Sequence, residues 1–523
     1  MFDLIIRGAA VVDGTGAPAT RAEVALQGDR IVACEPSIGG SAQAVIDGAG
    51  LVLAPGFIDV HNHSDGWLLK HSCLEPKVSQ GFTTEVLMSD GISYAPLRRE
   101  LAADWITYLR PLNGLTLADY EGWQSLADYS QRLDGATAQN SALQIPLANV
   151  RVLACGWGRA PADDTQILLM QHEVRRGREM GAVALSSGLD YISQCFCSTE
   201  EIVRVLQPLR GTGLPYVTHV RYKLGTLGGL REAVEIARRA GVPLHVSHLK
   251  ATSPQQRDEL LEYIDRHVLA EVDFSFDIYP YMAGSTLLAS LAPYEVWEQG
   301  PLGACRRLAD PVVRRRFAQL LDTLAIDWEQ TTFAWVASQA NRPWQGRTVA
   351  DFIASRNQSP ADAVADLLID EQLAVLAVIH PGGDESLLDP FLAHPRQMVG
   401  TDAILAPGGT VHPRAYGSVG RILGSAVRDH RLFSLETAIY KLTAFPAQRF
   451  GLAERGVIAP GNFADLVLFD PHRVADTATY AAPNSLCAGI ERVLVAGQTV
   501  WPRPSSLPDS AGPHPGRFLR RGQ

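Results

Sequence analysis

Two histidines one residue apart, His61 and His63, close the short apolar run Phe57-Ile58-Asp59-Val60. In a strand, residues i and i+2 point to the same side, so at a fraying strand end both imidazoles reach one point in space. Neutral imidazoles that converge are ligands for a first-row metal ion. A loop with two solvated histidines reads the same way, so His-x-His needs partners. His219 follows Tyr216-Val217-Thr218, His248 follows His245-Val246-Ser247, and Asp402 follows Met398-Val399-Gly400-Thr401. A single strand-end histidine is more often a satisfied structural residue. Four histidines and an aspartate, each after a strand, form a candidate metal constellation. His245 lies three before His248, which puts it on the opposite strand face, so it is left out. Cys195-Phe196-Cys197 has no matching second pair and is not read as a metal clip.

The elements that must position these residues alternate between strand and helix. Leu214–Thr218 reads as a strand, Leu230, Ala233, Val234 and Ala237 recur at helical spacing, Gly241 closes that helix, and Val242–Ser247 is the next strand. Phe274–Ile278 follows, so strand ends recur at roughly 30 residues, one βαβ unit. Further candidates are Phe57–Val60, Thr83–Leu87, Leu147–Leu153, Ala182–Leu185 and Gln397–Gly400. Eight such strands, with no G-x-G-x-x-G after any of them, predict a (β/α)₈ TIM-like barrel rather than an open doubly wound sheet. Barrel enzymes carry their chemistry at the C-terminal strand ends, where the candidates sit. Residues 55–444 form this expected catalytic unit, with a substrate-covering insertion around 286–395.

Residues 1–54 read instead as short strands with hairpin turns at Asp13-Gly14 and Gly28-Asp29. Similar strands return at Ala464–Phe469, Ile490–Val495 and Thr499–Trp501. Both chain ends, 1–54 and 445–501, are expected to build one small β-sandwich. The Pro-, Ser-, Gly- and Arg-rich tail 502–523 is expected to be loosely ordered.

The 523 residues are 46% hydrophobic with a formal net charge of −10, ordinary for a globular protein of this size. No Lys/Arg run suggests nucleic acid or a membrane surface, and no apolar stretch approaches a spanning helix. The N-terminus lacks a signal-peptide pattern, and seven cysteines without a disulfide framework suggest a reducing, cytoplasmic setting. The oligomeric state is left open, a homo-oligomer included.

The order His-x-His, His, His, Asp resembles the amidohydrolase superfamily, and the local sequences are similar to its N-acyl-D-amino-acid deacylases. The resemblance is carried by Pro55–His63, Lys77–Thr84, Thr218-His219-Val220-Arg221, Val246–Lys250, Asp277–Thr286 and Val399–Asp402. It continues through His412-Pro413-Arg414 and Gly451–Gly456 into Pro460–Val467, and spans residues 2 to 501. It implies one or two zinc ions per chain, other divalent metals being alternatives. His219 and His248 would hold one ion, and His61, His63 and Asp402 would lie at the second position. Asp402 would be the general base and then acid. Arg414, Tyr279 and Ser285 match positions that grip a substrate carboxylate, a task suited to an arginine fork.

One departure touches the metals. Where the family has a bridging cysteine, this chain reads Met88-Ser89-Asp90-Gly91-Ile92-Ser93. Asp90 is therefore expected to be the replacement ligand, harder than thiolate; the alternative is an aspartate that caps the next segment. Two other departures, Ser64-Asp65-Gly66 and Ala154–Arg159, are expected near the pocket and bear on the substrate.

The parts define a reaction. Zinc lowers the pKa of its water from 15.7 to about 7. Asp402 accepts the proton as hydroxide attacks an amide carbonyl, then returns it to the leaving amine. The expected substrate is a small linear amide, an N-acyl (D-)amino acid. A cyclic amide or carbamoyl substrate and a non-catalytic barrel scaffold are the alternatives.

Overall fold

The computed structural model describes residues 1–324, 326–505, 507 and 513–522. Its central sheet has eight parallel strands: β1 (Phe57–Asp59), β2 (Phe82–Leu87), β3 (Asn140–Pro146), β4 (Ala184–Gly188), β5 (Tyr216–His219), β6 (Leu244–Val246), β7 (Phe274–Ile278) and β8 (Gln397–Val399). They pair in chain order from β1 to β8. The two ends meet just past the strands, through a parallel bridge between Asn62 and Ala403. There the His63 N–H donates to the Ala403 carbonyl at 3.0 Å, and the Asp402 N–H donates to the His61 carbonyl at 2.7 Å. The result is a nearly closed (β/α)₈ barrel whose seam runs through three candidate site residues.

Burial explains the helical partners. Thr226–Ala240, between β5 and β6, turns Leu230, Ala233, Val234 and Ala237 inward and ends at Gly241, whose φ of 71° suits a residue without a side chain. Beneath the seam lies a buried ionic group. Lys77 is fully buried and pairs with Asp59, and its Nζ donates to Thr401 Oγ1 at 3.0 Å. Asp59 also accepts the Thr401 N–H at 2.8 Å, so this group ties β1 to the residue before Asp402.

Two further sheets lie outside the barrel. Four strands, in the order Arg30–Glu35, Glu23–Gln27, Phe2–Arg7 and Ala42–Asp47, form one. The other joins Thr20–Arg21, Ala10–Val11 and Val52–Pro55 to Leu466–Phe469, Ile490–Val495 and Gln498–Trp501. Ile6, Val24, Leu26 and Ile31 of the first share a core with Leu53, Leu466 and Leu494 of the second. A three-stranded antiparallel sheet (Gly284–Leu287, Val375–Ile379, Thr331–Val336) with its helices fills the long β7–β8 connection. No helix among the described residues is long and apolar enough to cross a membrane.

Three expectations are corrected. Leu147–Leu153 is not a strand but lies in the helix Leu147–Cys155; the strand is the preceding Asn140–Pro146. That strand buries Asn140, Ser141 and Gln144, so its polarity hid it, while the apolar helix face imitated a core strand. The Asp13-Gly14 turn is not a tight hairpin, because the pairing across it begins only at Val11 and Thr20. The described part of the tail is docked. Phe518 and Leu519 pair with Ser141 and Ala142 of β3, whose pairing with β4 begins only at Gln144, so the tail satisfies backbone the splayed strand leaves open.

Candidate active site

All six residues expected at the metal centre come together at the C-terminal mouth of the barrel. His61 Nε2 lies 3.6 Å from Asp90 Oδ1 and 3.7 Å from Asp402 Oδ1. His63 Nε2 lies 3.7 Å from Asp90 Oδ2 and 3.2 Å from Asp402 Oδ1. His248 Nε2 stands 3.9 Å from Asp90 Oδ1 and 3.0 Å from His219 Nδ1. Three overlapping donor sets result: His61, His63 and Asp90; Asp90, His219 and His248; His61, His248 and Asp402. Asp90 belongs to two of them, between the β1 histidines and those of β5 and β6.

The backbone strain at these residues has one direction. Asp90, His248 and Asp402 have φ of 59°, 38° and 49°, the left-handed region that side chains avoid at a cost of about 1–3 kcal/mol each. Each is held from outside. The Asp90 carbonyl accepts from Gln194 Nε2 at 2.7 Å, the His248 N–H donates to Asp277 Oδ1 at 2.9 Å, and Asp402 is fixed by the seam. Gly400 lets the seam close: a Cβ there would lie 2.6 Å from Asp277 Oδ1 and 2.7 Å from His61 Cβ. Asp90 caps no helix, and its Oδ1 has no hydrogen-bond partner among the described residues.

The charges are set by mutual proximity. Burial opposes charge on His61, yet the carboxylates of Asp90, Asp277 and Asp402 outweigh it and raise its pKa to about 10. Burial, with His219 beside it, pushes His248 down to about 3. Burial also opposes charge on Asp402, but Arg414 and the surrounding imidazoles hold its carboxyl well below the usual range. Buried His61 Nδ1 and Nε2, His63 Nδ1 and Asp90 Oδ1 lack hydrogen-bond partners among the described residues. Unsatisfied donors and acceptors at the centre of a polar cluster are costly unless something binds them. Nitrogen and carboxylate donors in this arrangement fit a divalent ion.

A cavity of about 390 Å³ opens beside the cluster, reaching His219, His248, Asp402 and Arg414. Arg414 is buried at the start of the helix Arg414–Gly420; its Nη1 lies 2.8 Å from Asp402 Oδ2 and its Nη2 donates to the Ser285 carbonyl at 3.0 Å. Its guanidinium sits 4.4 Å from the Tyr279 ring centroid. Ser285 lines the cavity, but its hydroxyl donates to the Ala377 carbonyl at 2.9 Å, so it offers the site its backbone. Asp65 works below the floor, accepting from Ser93 Oγ at 2.6 Å and the Met88 N–H at 3.1 Å. None of residues 154–159 lines the cavity; Trp157 packs on Trp105 instead, so the expectation for that loop is corrected.

Three participants carry no role in the sequence reading. Lys250 Nζ donates to Tyr279 Oη at 2.8 Å and lies 4.4 Å from that ring's centroid, and burial with Arg414 nearby lowers its pKa to about 7. Asp277 braces both His245 and the His248 backbone, and Tyr222 Oη sits 3.1 Å from His248 Nδ1. His245 thus serves the site through Asp277 from the same sheet face as Ser275 and Asp277, which corrects its exclusion: the strand ends at Val246, so the alternation of faces does not extend to His248. Lys250 stands two past His248, a spacing that could have flagged it; Tyr222 has no comparable signal.

The pattern of the amidohydrolase family matches residues 44–501. D-aminoacylase of Alcaligenes xylosoxydans xylosoxydans is 34% identical over 99% of this chain and 98% of its own. A solved structure of a D-aminoacylase, described by its binuclear metal centre, is 34% identical over the whole of both chains, with a TM-score of 0.80. The N-acyl-D-glutamate deacylase of Bordetella bronchiseptica, solved with zinc and a phosphonate mimic of the tetrahedral intermediate, is 30% identical over 99% of both chains, with a TM-score of 0.82.

Proposed function

This chain belongs to the amidohydrolase family, and on that premise we propose that it is a metal-dependent hydrolase of N-acyl amino acids, D-configured as in its relatives. It cuts a linear amide to a carboxylate and a free amino acid. The observation that carries this is the convergence of four histidines and two aspartates in one buried cluster that meets a cavity at His219, His248 and Asp402, with a buried arginine beside it.

Asp90, His219 and His248 would hold one zinc ion, and His61, His63, Asp402 and the shared Asp90 a second. A divalent ion held there polarises an amide carbonyl and acidifies water. The remaining work falls to the protein. Asp402 turns Oδ1 to the histidines and Oδ2 to Arg414, so its carboxylate is placed to accept a proton and return it to the leaving amine. Arg414, whose Nε and Nη1 have no hydrogen-bond partner among the described residues, presents a cation to the substrate's α-carboxylate, and Lys250, which donates to Tyr279 Oη and to the Met282 and Ala283 carbonyls, holds Tyr279 beside it. We assign catalysis to residues 55–444, supported by the sheets of 1–54 and 445–501. Unpaired cysteines, all seven of them, suit a cytoplasmic protein.

A substrate panel tests this. Protein purified without chelator should carry about one to two equivalents of zinc. It should hydrolyse N-acetyl-D-amino acids faster than cyclic amides or N-carbamoyl amino acids. Faster turnover of a cyclic amide would move the reaction to ring opening, and full activity with less than about a tenth of an equivalent of metal would remove the metal.

A further inference from the structure

Lys223 lines the same cavity, on the side of His219. Unlike Arg414 and Lys250, it has no hydrogen bond or ion pair among the described residues; its Nζ lies 3.7 Å from the Tyr294 ring centroid. Asp190, whose field acts on Lys223, is already engaged, accepting from the Tyr222 N–H at 2.7 Å and from Tyr294 Oη at 2.6 Å. Its Oδ2 also lies 3.6 Å from His219 Nε2. Arg221, the other charged neighbour, repels Lys223 and is itself taken by Glu232. Burial lowers the Lys223 pKa, as expected for an ammonium short of a counter-ion.

An ammonium at the edge of a binding cavity, whose one nearby carboxylate, Asp190, is already engaged by Tyr222 and Tyr294, is costly to maintain. The hydroxyl-bearing Thr226 and Thr252 line the cavity with it, whereas Leu291, Leu324 and Ile379 supply apolar lining elsewhere. The unpartnered N–H groups of Arg414 suffice for one carboxylate, and Lys250 is spent on Tyr279 and two carbonyls; Lys223 stands apart, over Tyr294. We propose that Lys223 recognises a second anionic group, on the side-chain or the acyl arm of the substrate, so that the preferred substrate is a dianion. The inference rests on the deacylase reading above and adds a specificity residue to it.

Two matched pairs of substrates separate the arms. N-acetyl-D-glutamate against N-acetyl-D-glutamine varies charge on the side chain; N-succinyl-D-leucine against its succinamoyl counterpart varies it on the acyl group. In the parent enzyme the anionic member of one pair should exceed its neutral partner about tenfold in kcat/KM. Lys223→Met should collapse that ratio, chiefly through KM, and Lys223→Arg should restore most of it. The ratio within a pair is the readout, so a general loss of activity does not imitate the effect. Charge preference in neither pair, or a preference that survives Lys223→Met, overturns the role of Lys223 while leaving the deacylase standing. Failure of the zinc-loaded protein on every N-acyl amino acid overturns both.

Discussion

Arg414 Nη1 lies 2.8 Å from Asp402 Oδ2, with side-chain exposures of 1% and 9%. The contact joins two charges rather than an aligned hydrogen bond, because Nη1 and Nε of Arg414 both remain without one. The arginine is thus anchored by the Ser285 carbonyl and by charge, yet keeps N–H groups to offer. One cation serves both the proton-handling carboxylate and, in our reading, the substrate's carboxylate.

Arg414→Met should therefore raise KM for an N-acyl amino acid far more than for the same compound with its α-carboxylate amidated. Truncating one partner of a buried charge pair costs several kcal/mol, so roughly a 10²-fold loss in kcat/KM is expected for the carboxylate substrate. Equal losses for both compounds would show that Arg414 acts only through Asp402.

Much of this site was legible before the fold, for a definable reason. His61, His63, His219, His248 and Asp402 stand at or just beyond strand ends, and strand periodicity survives in sequence. Asp90 was legible only by its place after Thr83–Leu87 and by resemblance. The pairing of Arg414 with Asp402 was not legible, since 12 positions along a connecting loop fix no distance. Tyr222 and Asp277 were hidden because their roles depend on which side chain lies behind which imidazole. The third barrel strand was missed where buried polar residues replaced the expected apolar ones.

Asp402→Asn should lower turnover by roughly 10²–10⁴-fold, the usual cost of a lost general base. The amide is nearly isosteric and keeps an oxygen for the histidine side, and asparagine tolerates the φ of 49° at this position. Metal content should stay close to the parent's, while the melting temperature should fall, because Arg414 loses its buried counter-charge. Activity within about threefold of the parent would take proton transfer away from Asp402.

Lys77→Met should destabilise the barrel by about 3–5 kcal/mol, because it leaves Asp59 charged, buried and unpaired. The double variant Lys77→Met/Asp59→Leu should recover part of that loss by removing the orphaned charge. Denaturant titration of the parent, Lys77→Met, Asp59→Leu and the double variant measures the coupling. If the single and double variants lose the same stability, the ion pair is not what holds the seam.

Asp90 provides the sharpest test of the metal site. Its carboxylate faces His61, His63 and His248 at 3.6, 3.7 and 3.9 Å and caps no helix, so its charge has no structural duty visible in the fold. The backbone there, at φ 59°, would strain alanine, which confuses loss of a ligand with loss of a conformation. Asp90→Asn avoids this, since asparagine accepts the left-handed region. It should fold normally and lose metal, by elemental analysis and by a weaker response of melting temperature to added zinc. Asp90→Cys, which carries the same backbone strain as alanine but supplies a thiolate, should retain zinc and, being softer, exchange it for Mn²⁺ less readily than the parent does. An Asp90→Asn protein with full metal and full activity would leave that side of the centre to His219 and His248 alone.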